Sequence, residues 1–194
     1  MEESESKQSP LQHIPQVLTQ KNKHTDDLID HYWGSISYIS SLIKASELKA
    51  GLILSFYGIL LNFIFQSIGI IISEVSNANF FYVLIGLWFL FTATSIFYCV
   101  RCFIPRIEGN YDKNIFFFGD VITKFGTIKE FAKTFYRISV DEDQLFEQLG
   151  EQIYIISKIA AWKFRNVKRA IWFLALGLSI LLISTVYYFV LTLF

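Results

Sequence analysis

The 194-residue chain carries 17 Lys and Arg against 17 Asp and Glu, is 53% hydrophobic with 20 phenylalanines, and has a mean hydropathy of +0.42. That composition excludes an ordinary water-soluble domain, and the formal net charge of +0 removes the basic balance that nucleic-acid binding calls for. Cys99 and Cys102 are the only cysteines and lack the second pair or nearby histidine of a zinc site, so they read as apolar packing residues.

Residues 1–24 are polar, contain Pro10 and Pro15 and show no sustained periodicity, which makes them a mobile polar tail. The opening residues are acidic and Gln-rich, without the early apolar run of a signal peptide. Thr25 or Asp26 starts an amphipathic helix over 25–49, in which Leu28, Tyr32, Ile36, Ile39 and Ile43 recur at three- and four-residue spacing. No proline interrupts the chain from there into the next segment, so one long helix or two nearly collinear ones are expected. His24, Asp27 and His31 lie within helical reach of one another. Carboxylate and imidazole in that order suit either a metal or a solvated helix start, and the expectation is that no metal is held.

Residues 50–73 carry no charge and are long enough, at 1.5 Å per residue, to cross a hydrocarbon core of roughly 30 Å. Within this first span Gly51, Ser55, Gly58, Asn62, Gln66 and Gly69 fall on one helix face. Amides inside hydrocarbon are costly unless partnered, so something must cover this stripe. It reads as a packing seam between the chain's own helices, a seam between protomers, or a pore wall that can be wetted. A six-residue turn, 74–79, leads into a second uncharged span, 80–100, which Arg101, Pro105 and Arg106 close.

Residues 101–169 form a helical module. The run Ile115-Phe116-Phe117-Phe118-Gly119-Asp120 is too short to span and suits a buried turn or an interfacial segment. Thr127 and Glu130 make a capping box, with a helix to about Arg137, and Ser139 with Glu142 offers a second box. Leu145, Leu149, Ile153, Ile156, Ala160, Phe164 and Val167 then form a heptad-like stripe that matches the one from Leu28 to Ile43, and the two are expected to pack together beneath the membrane. Residues 170–194 are the third span. Lysines and arginines flank only one end of each span, at Lys44 and Lys49, at Arg101 and Arg106, and at Lys163, Arg165, Lys168 and Arg169. That asymmetry places the N-terminus and the module in the cytoplasm, and the hairpin and the C-terminus outside. The expected fold is an all-α membrane protein of three transmembrane helices extended by a cytoplasmic helical bundle.

No Ser–His–Asp arrangement, G-x-S-x-G, Walker loop or G-x-G-x-x-G is present, and all three histidines lie in the first 31 residues. Asp141, Glu142 and Asp143 read as a solvated first helical turn. The reading is therefore of a non-enzyme, a membrane protein whose module senses something and acts on the bilayer.

Several segments resemble one family in order and spacing: Glu47-Leu48-Lys49-Ala50 where the first span begins, Phe103-Ile104-Pro105-Arg106 after the second, and the 115–120 run. Gln152-Ile153, Ile156, Ile159, Lys163-Phe164 and Lys168-Arg169-Ala170 before the third span fit the same pattern. Over about 26–188 the chain is similar to the Pycsar membrane-effector domain, which has Asp where Glu47 stands and so keeps the charge. The resemblance implies a bacterial anti-phage effector, multi-pass in the inner membrane. In such systems a uridylate or cytidylate cyclase senses infection and makes cyclic UMP or cyclic CMP. The effector then impairs the membrane and the infected cell stops growing.

No cofactor is implied beyond that cyclic pyrimidine mononucleotide. No separate nucleotide-binding β-barrel fits in the chain, so the helical module would hold the ligand. Its site needs a cation for the phosphate and an aromatic or amide group for the base. The candidates are Arg101, Arg106, Phe117, Phe118, Asp120, Lys163 and Arg165, although basic residues at a membrane rim also serve orientation and lipid headgroups. Membrane lipid and further copies of the chain in a homo-oligomer complete the expected partners, with no nucleic acid. The alternative is a constitutive membrane scaffold or small transport-like protein without a nucleotide ligand.

Overall fold

A computed structural model describes residues 16–74, 79–104 and 112–193, with side chains from 23 onward except at 68, 70–74 and 192. The first 15 residues, 75–78 within the expected turn at 74–79, Pro105, Arg106 and Phe194 lie outside the described residues. The elements are α1 (Gln16–Glu74), α2 (Asn79–Phe103), α3 (Phe118–Thr123), α4 (Ile128–Val140) and α5 (Glu142–Leu193), with no strand among the described residues. Three helices, α1, α2 and α5, are long and apolar enough to cross a membrane.

Two of these helices run without a break from the module into the span. At 1.5 Å per residue α1 is about 90 Å long and α5 about 80 Å. Neither has an internal proline. Their hydroxyls bond back one turn, as Ser35 does to the His31 carbonyl at 2.9 Å and Ser55 to that of Gly51 at 3.0 Å, which satisfies them without water. The helix also reaches back to Gln16, N-terminal to the start read at Thr25 or Asp26. The intervening Gln16-Val17-Leu18-Thr19-Gln20-Lys21-Asn22-Lys23 contains neither Gly nor Pro to stop it.

Inside the membrane α1 packs through Ala50, Ile53 and Tyr57 against Cys99 and Cys102 of α2 and Val167 and Ala170 of α5. Ala50, Cys99, Cys102 and Ala170 are completely buried, and their small side chains bring the three backbones close. Both cysteines are free thiols. The Ser95 hydroxyl donates to the Ala170 carbonyl at 2.8 Å, tying α2 to α5.

Beyond the membrane the two apolar stripes read from sequence meet within the one chain. Ile36 of α1 packs with Leu149 and Ile156 of α5, flanked by Tyr32, Ile39, Ile43, Leu145, Phe146 and Ile153. Each such side chain fully buried contributes about 1.5–3 kcal/mol. Phe164, the stripe's sixth member, is instead partly exposed and lies beside Lys49.

The capping box at Thr127 and Glu130 is present, but the second box is displaced. α4 runs on through Ser139 to Val140, and Asp141 caps α5 by accepting from the Gln144 backbone N–H at 3.1 Å. A carboxylate at that position is a strong N-cap, and the Gln144 side-chain amide steadies it with a further bond at 2.6 Å.

Candidate functional site

The short apolar run after α2 becomes a fixed loop because one buried amide holds it. Asn114 is fully buried. Its side-chain oxygen accepts from the N–H groups of Phe116 and Phe117 at 2.9 and 3.1 Å. Its side-chain nitrogen donates to the Gln148 carbonyl at 2.7 Å and to Glu151 Oε2 at 3.2 Å, so the loop is fastened to α5. Its own N–H donates to Asp120 at 3.0 Å, and the Ile115 N–H donates to Gln148 Oε1 at 3.0 Å. Ile115 and Phe117 are buried in consequence.

The helix that follows presents Phe131, Phe135 and Ile138 along one face, at i, i+4 and i+7. Beside that face lies a cleft of about 450 Å³ lined by Lys113, Phe125 and Gly126 and by Glu130, Thr134, Arg137 and Ile138 of α4. This volume lies within the roughly 300–1,000 Å³ of small-molecule sites. The contents are chemically mixed. Lys113 and Arg137 supply positive charge, and the Lys113 ammonium lies 5.9 Å from the centre of the Phe125 ring. Thr134 supplies a hydroxyl and Glu130 a carboxylate, one oxygen of which already accepts from the Thr127 N–H at 3.0 Å. A Cβ at Gly126 would lie 2.6 Å from Glu130 Oε2, so a larger residue there would displace that carboxylate.

The cleft is joined to α1 by rings in contact. Phe125 meets Phe131 at 5.3 Å, Phe131 meets Phe135 at 5.7 Å, Phe135 meets Phe116 at 6.0 Å, and Phe116 meets Trp33 of α1 edge-on at 5.6 Å. The separations are those of favourable aromatic pairs.

Among the described residues, none of the ligand residues expected from sequence lines this cleft. Lys163 is buried and donates to Glu47 at 2.7 Å and to the Cys102 carbonyl at 2.6 Å, joining all three long helices where they enter the membrane. Arg101 lies over the rings of Phe97 and Trp162 at 5.7 and 5.8 Å. Asp120 is buried against the Asn114 N–H and Lys124, whose ammonium is 3.0 Å away. Phe117 is in the loop core, Phe118 and Arg165 are exposed, and Arg106 lies outside the described residues. Lys113 and Arg137 are 24 positions apart, and no local motif joins them. The available signal was the amphipathic face of the helix behind the first capping box.

The stripe of the first span points away from the chain's other helices. Gly51 is near the Phe103 ring, but a Cβ at Gly58 or Gly69 would meet nothing within 4 Å. Asn62 and Gln66 are exposed and bond to each other at 3.3 Å. Among the described residues no group of three or more His, Cys, Asp or Glu is placed to hold a metal ion.

The profile of the Pycsar effector protein domain matches residues 31–191. The chain is 28% identical over 154 residues to the Pycsar effector protein SaPycTM of Staphylococcus aureus, a match covering 78% of this chain and 90% of that protein. It is 24% identical over 156 residues to the Pycsar effector protein PtPycTM of Propioniciclava tarda, covering 78% of this chain and 75% of that protein. No solved structure matches.

Proposed function

From the premise that this chain belongs to the family of Pycsar effector protein domains, we propose that it is a nucleotide-gated membrane effector of anti-phage defence. A cyclic pyrimidine mononucleotide, cUMP or cCMP, binds in the cleft beside α4. Lys113 and Arg137 meet its single phosphate charge, the Phe125 ring stacks on the base, and Thr134 and the remaining Glu130 oxygen take the hydroxyl and N–H groups of ribose and base. The single observation that carries this reading is the cleft itself, of the right size and chemistry and joined by ring contacts to a helix that continues into the membrane.

The response then follows from the geometry of α1. A ligand that moves Phe125 moves Phe131 and Phe135 and, through them, Phe116 against Trp33, and α1 transmits the shift as a rod to Ala50, Ile53 and Tyr57. Three helices are too few to enclose a pore, so impairment of the bacterial inner membrane requires several protomers. Their contact is the stripe of Gly58, Asn62 and Gln66, which the described residues leave uncovered and whose amides, though bonded to each other along α1, keep further donors and acceptors that lipid cannot meet. The basic residues at one end of each span support a cytoplasmic module, within reach of a nucleotide made there by a uridylate or cytidylate cyclase.

Equilibrium dialysis of the purified full chain against cUMP and cCMP tests the site. Arg137→Ala and Lys113→Ala are each expected to weaken binding roughly tenfold or more, the worth of one charge-assisted hydrogen bond, while Arg165→Ala leaves it unchanged. Unchanged affinity in both cleft variants would remove the cleft from the mechanism.

A further inference from the structure

A second pocket lies where α1 and α5 enter the membrane. It holds about 180 Å³ and is lined by Lys49 of α1 and by Phe164, Val167, Lys168, Ile171 and Trp172 of α5. The pocket has two chemically different halves. Lys49 and Lys168 are both exposed, and Lys49 Nζ is 6.0 Å from the centre of the Phe164 ring. Val167 forms a buried floor, while Ile171 and Trp172 continue along the span as an exposed apolar wall, Trp172 at 62% exposure. The nearest acid in sequence to Lys49 is Glu47, and its carboxylate is taken by Lys163 at 2.7 Å. No ion pair among the described residues engages Lys49 or Lys168.

We propose that this pocket holds one anionic phospholipid from the leaflet nearest the helical module, its phosphate between Lys49 and Lys168 and an acyl chain along Ile171 and Trp172. Two ammonium groups from different helices meet one phosphodiester, the Trp172 indole sits at headgroup level, and the apolar wall below leads straight into hydrocarbon. A soluble anion would leave that wall exposed, and a zwitterionic lipid would bring a third ammonium toward the two lysines. The lipid bridges α1 and α5 close to the Lys163–Glu47 contact, and so fastens the two rods where they leave the bilayer.

Native mass spectrometry of the detergent-purified full chain reads the site directly, because it counts bound lipids. Titration with dioleoyl phosphatidylglycerol is expected to give one tightly retained lipid per chain. Dioleoyl phosphatidylcholine with the same acyl chains should bind at least tenfold more weakly, and a large excess of inorganic phosphate should not displace the retained lipid. Lys49→Ala with Lys168→Ala should weaken phosphatidylglycerol retention at least tenfold. Lys49→Arg with Lys168→Arg should restore it, which separates loss of the site from loss of the fold. Lys44→Ala with Arg165→Ala removes equal charge from the same rim and should leave retention unchanged. Equal retention of the two lipids, displacement by inorganic phosphate, or equal loss in the Lys44 and Arg165 control would each overturn the proposal.

Discussion

The two halves of α1 meet the same helix, α5, and are completed in opposite ways. In the module, Tyr32, Ile36, Ile39 and Ile43 are covered by the matching stripe of α5. The polar groups of the adjoining loop are matched there too, down to the two acceptors and two donors around the Asn114 amide. In the span, α1 buries Ala50, Ile53 and Tyr57 but leaves Gly58, Asn62 and Gln66 open. In the module the facing stripes of α1 and α5 thus cover each other within one chain, whereas the polar stripe of the span has no such cover among the described residues. The difference locates the fixed and the changeable parts of the molecule. On the function proposed above, ligand geometry would belong with the fixed part and the response with the face that has more than one possible neighbour.

The comparison breaks most directly at Leu149, which is 1% exposed between α1 and α5. Leu149→Asp places a carboxylate in that contact and is expected to cost about 4 kcal/mol or more, so little folded protein should be recovered in detergent. A variant that folds normally and only loses self-association would mean that the stripe joins protomers and that the module is not complete in one chain.

Asn114→Ala comes next. It removes the loop's bonds to α5 and strands buried donors and acceptors, for a loss of about 2–3 kcal/mol in thermal or denaturant unfolding. Because the same loop carries Lys113 into the cleft, nucleotide affinity should fall as well. Undiminished affinity would show that the loop does not position the site.

Gly126→Ala has a smaller effect. The new methyl displaces the Glu130 carboxylate, which loosens the capping box by about 1 kcal/mol. Circular dichroism of the full chain should change little while nucleotide affinity drops several-fold, and unaltered affinity would take Glu130 out of the ligand contacts.

Much of this arrangement was legible in the residues and some was not, for physical reasons. The spans and the paired stripes are written in periodicity, which depends only on local helix geometry. The first capping box is equally local. At the second, Ser139 and Asp141 competed for one helix start; the carboxylate won, and the hydroxyl was absorbed into α4. The cleft was hidden because Lys113 and Arg137 meet only after the loop is folded onto α5. The same folding took Lys163 and Asp120, which look like free charges in sequence, into bonds inside the chain. The stripe at Gly51 to Gly69 could be read as a face, but its direction was set by Ala50, Ile53 and Tyr57 winning the contact with α2 and α5.

That direction makes Gly58 the most telling position. A Cβ there meets nothing within 4 Å, so Gly58→Leu should not destabilise the chain itself and, by helix propensity, should stabilise it by about 0.5–1 kcal/mol. The decisive measurement is membrane potential in liposomes carrying the purified full chain, followed by a voltage-sensitive dye as cUMP or cCMP is added, with nucleotide binding measured on the same preparations. Wild type is expected to depolarise on addition of nucleotide, and Gly58→Leu to bind nucleotide equally well and hold its potential. Full nucleotide-triggered depolarisation by Gly58→Leu would contradict the account, because the face left open in the membrane would then have no part in the response.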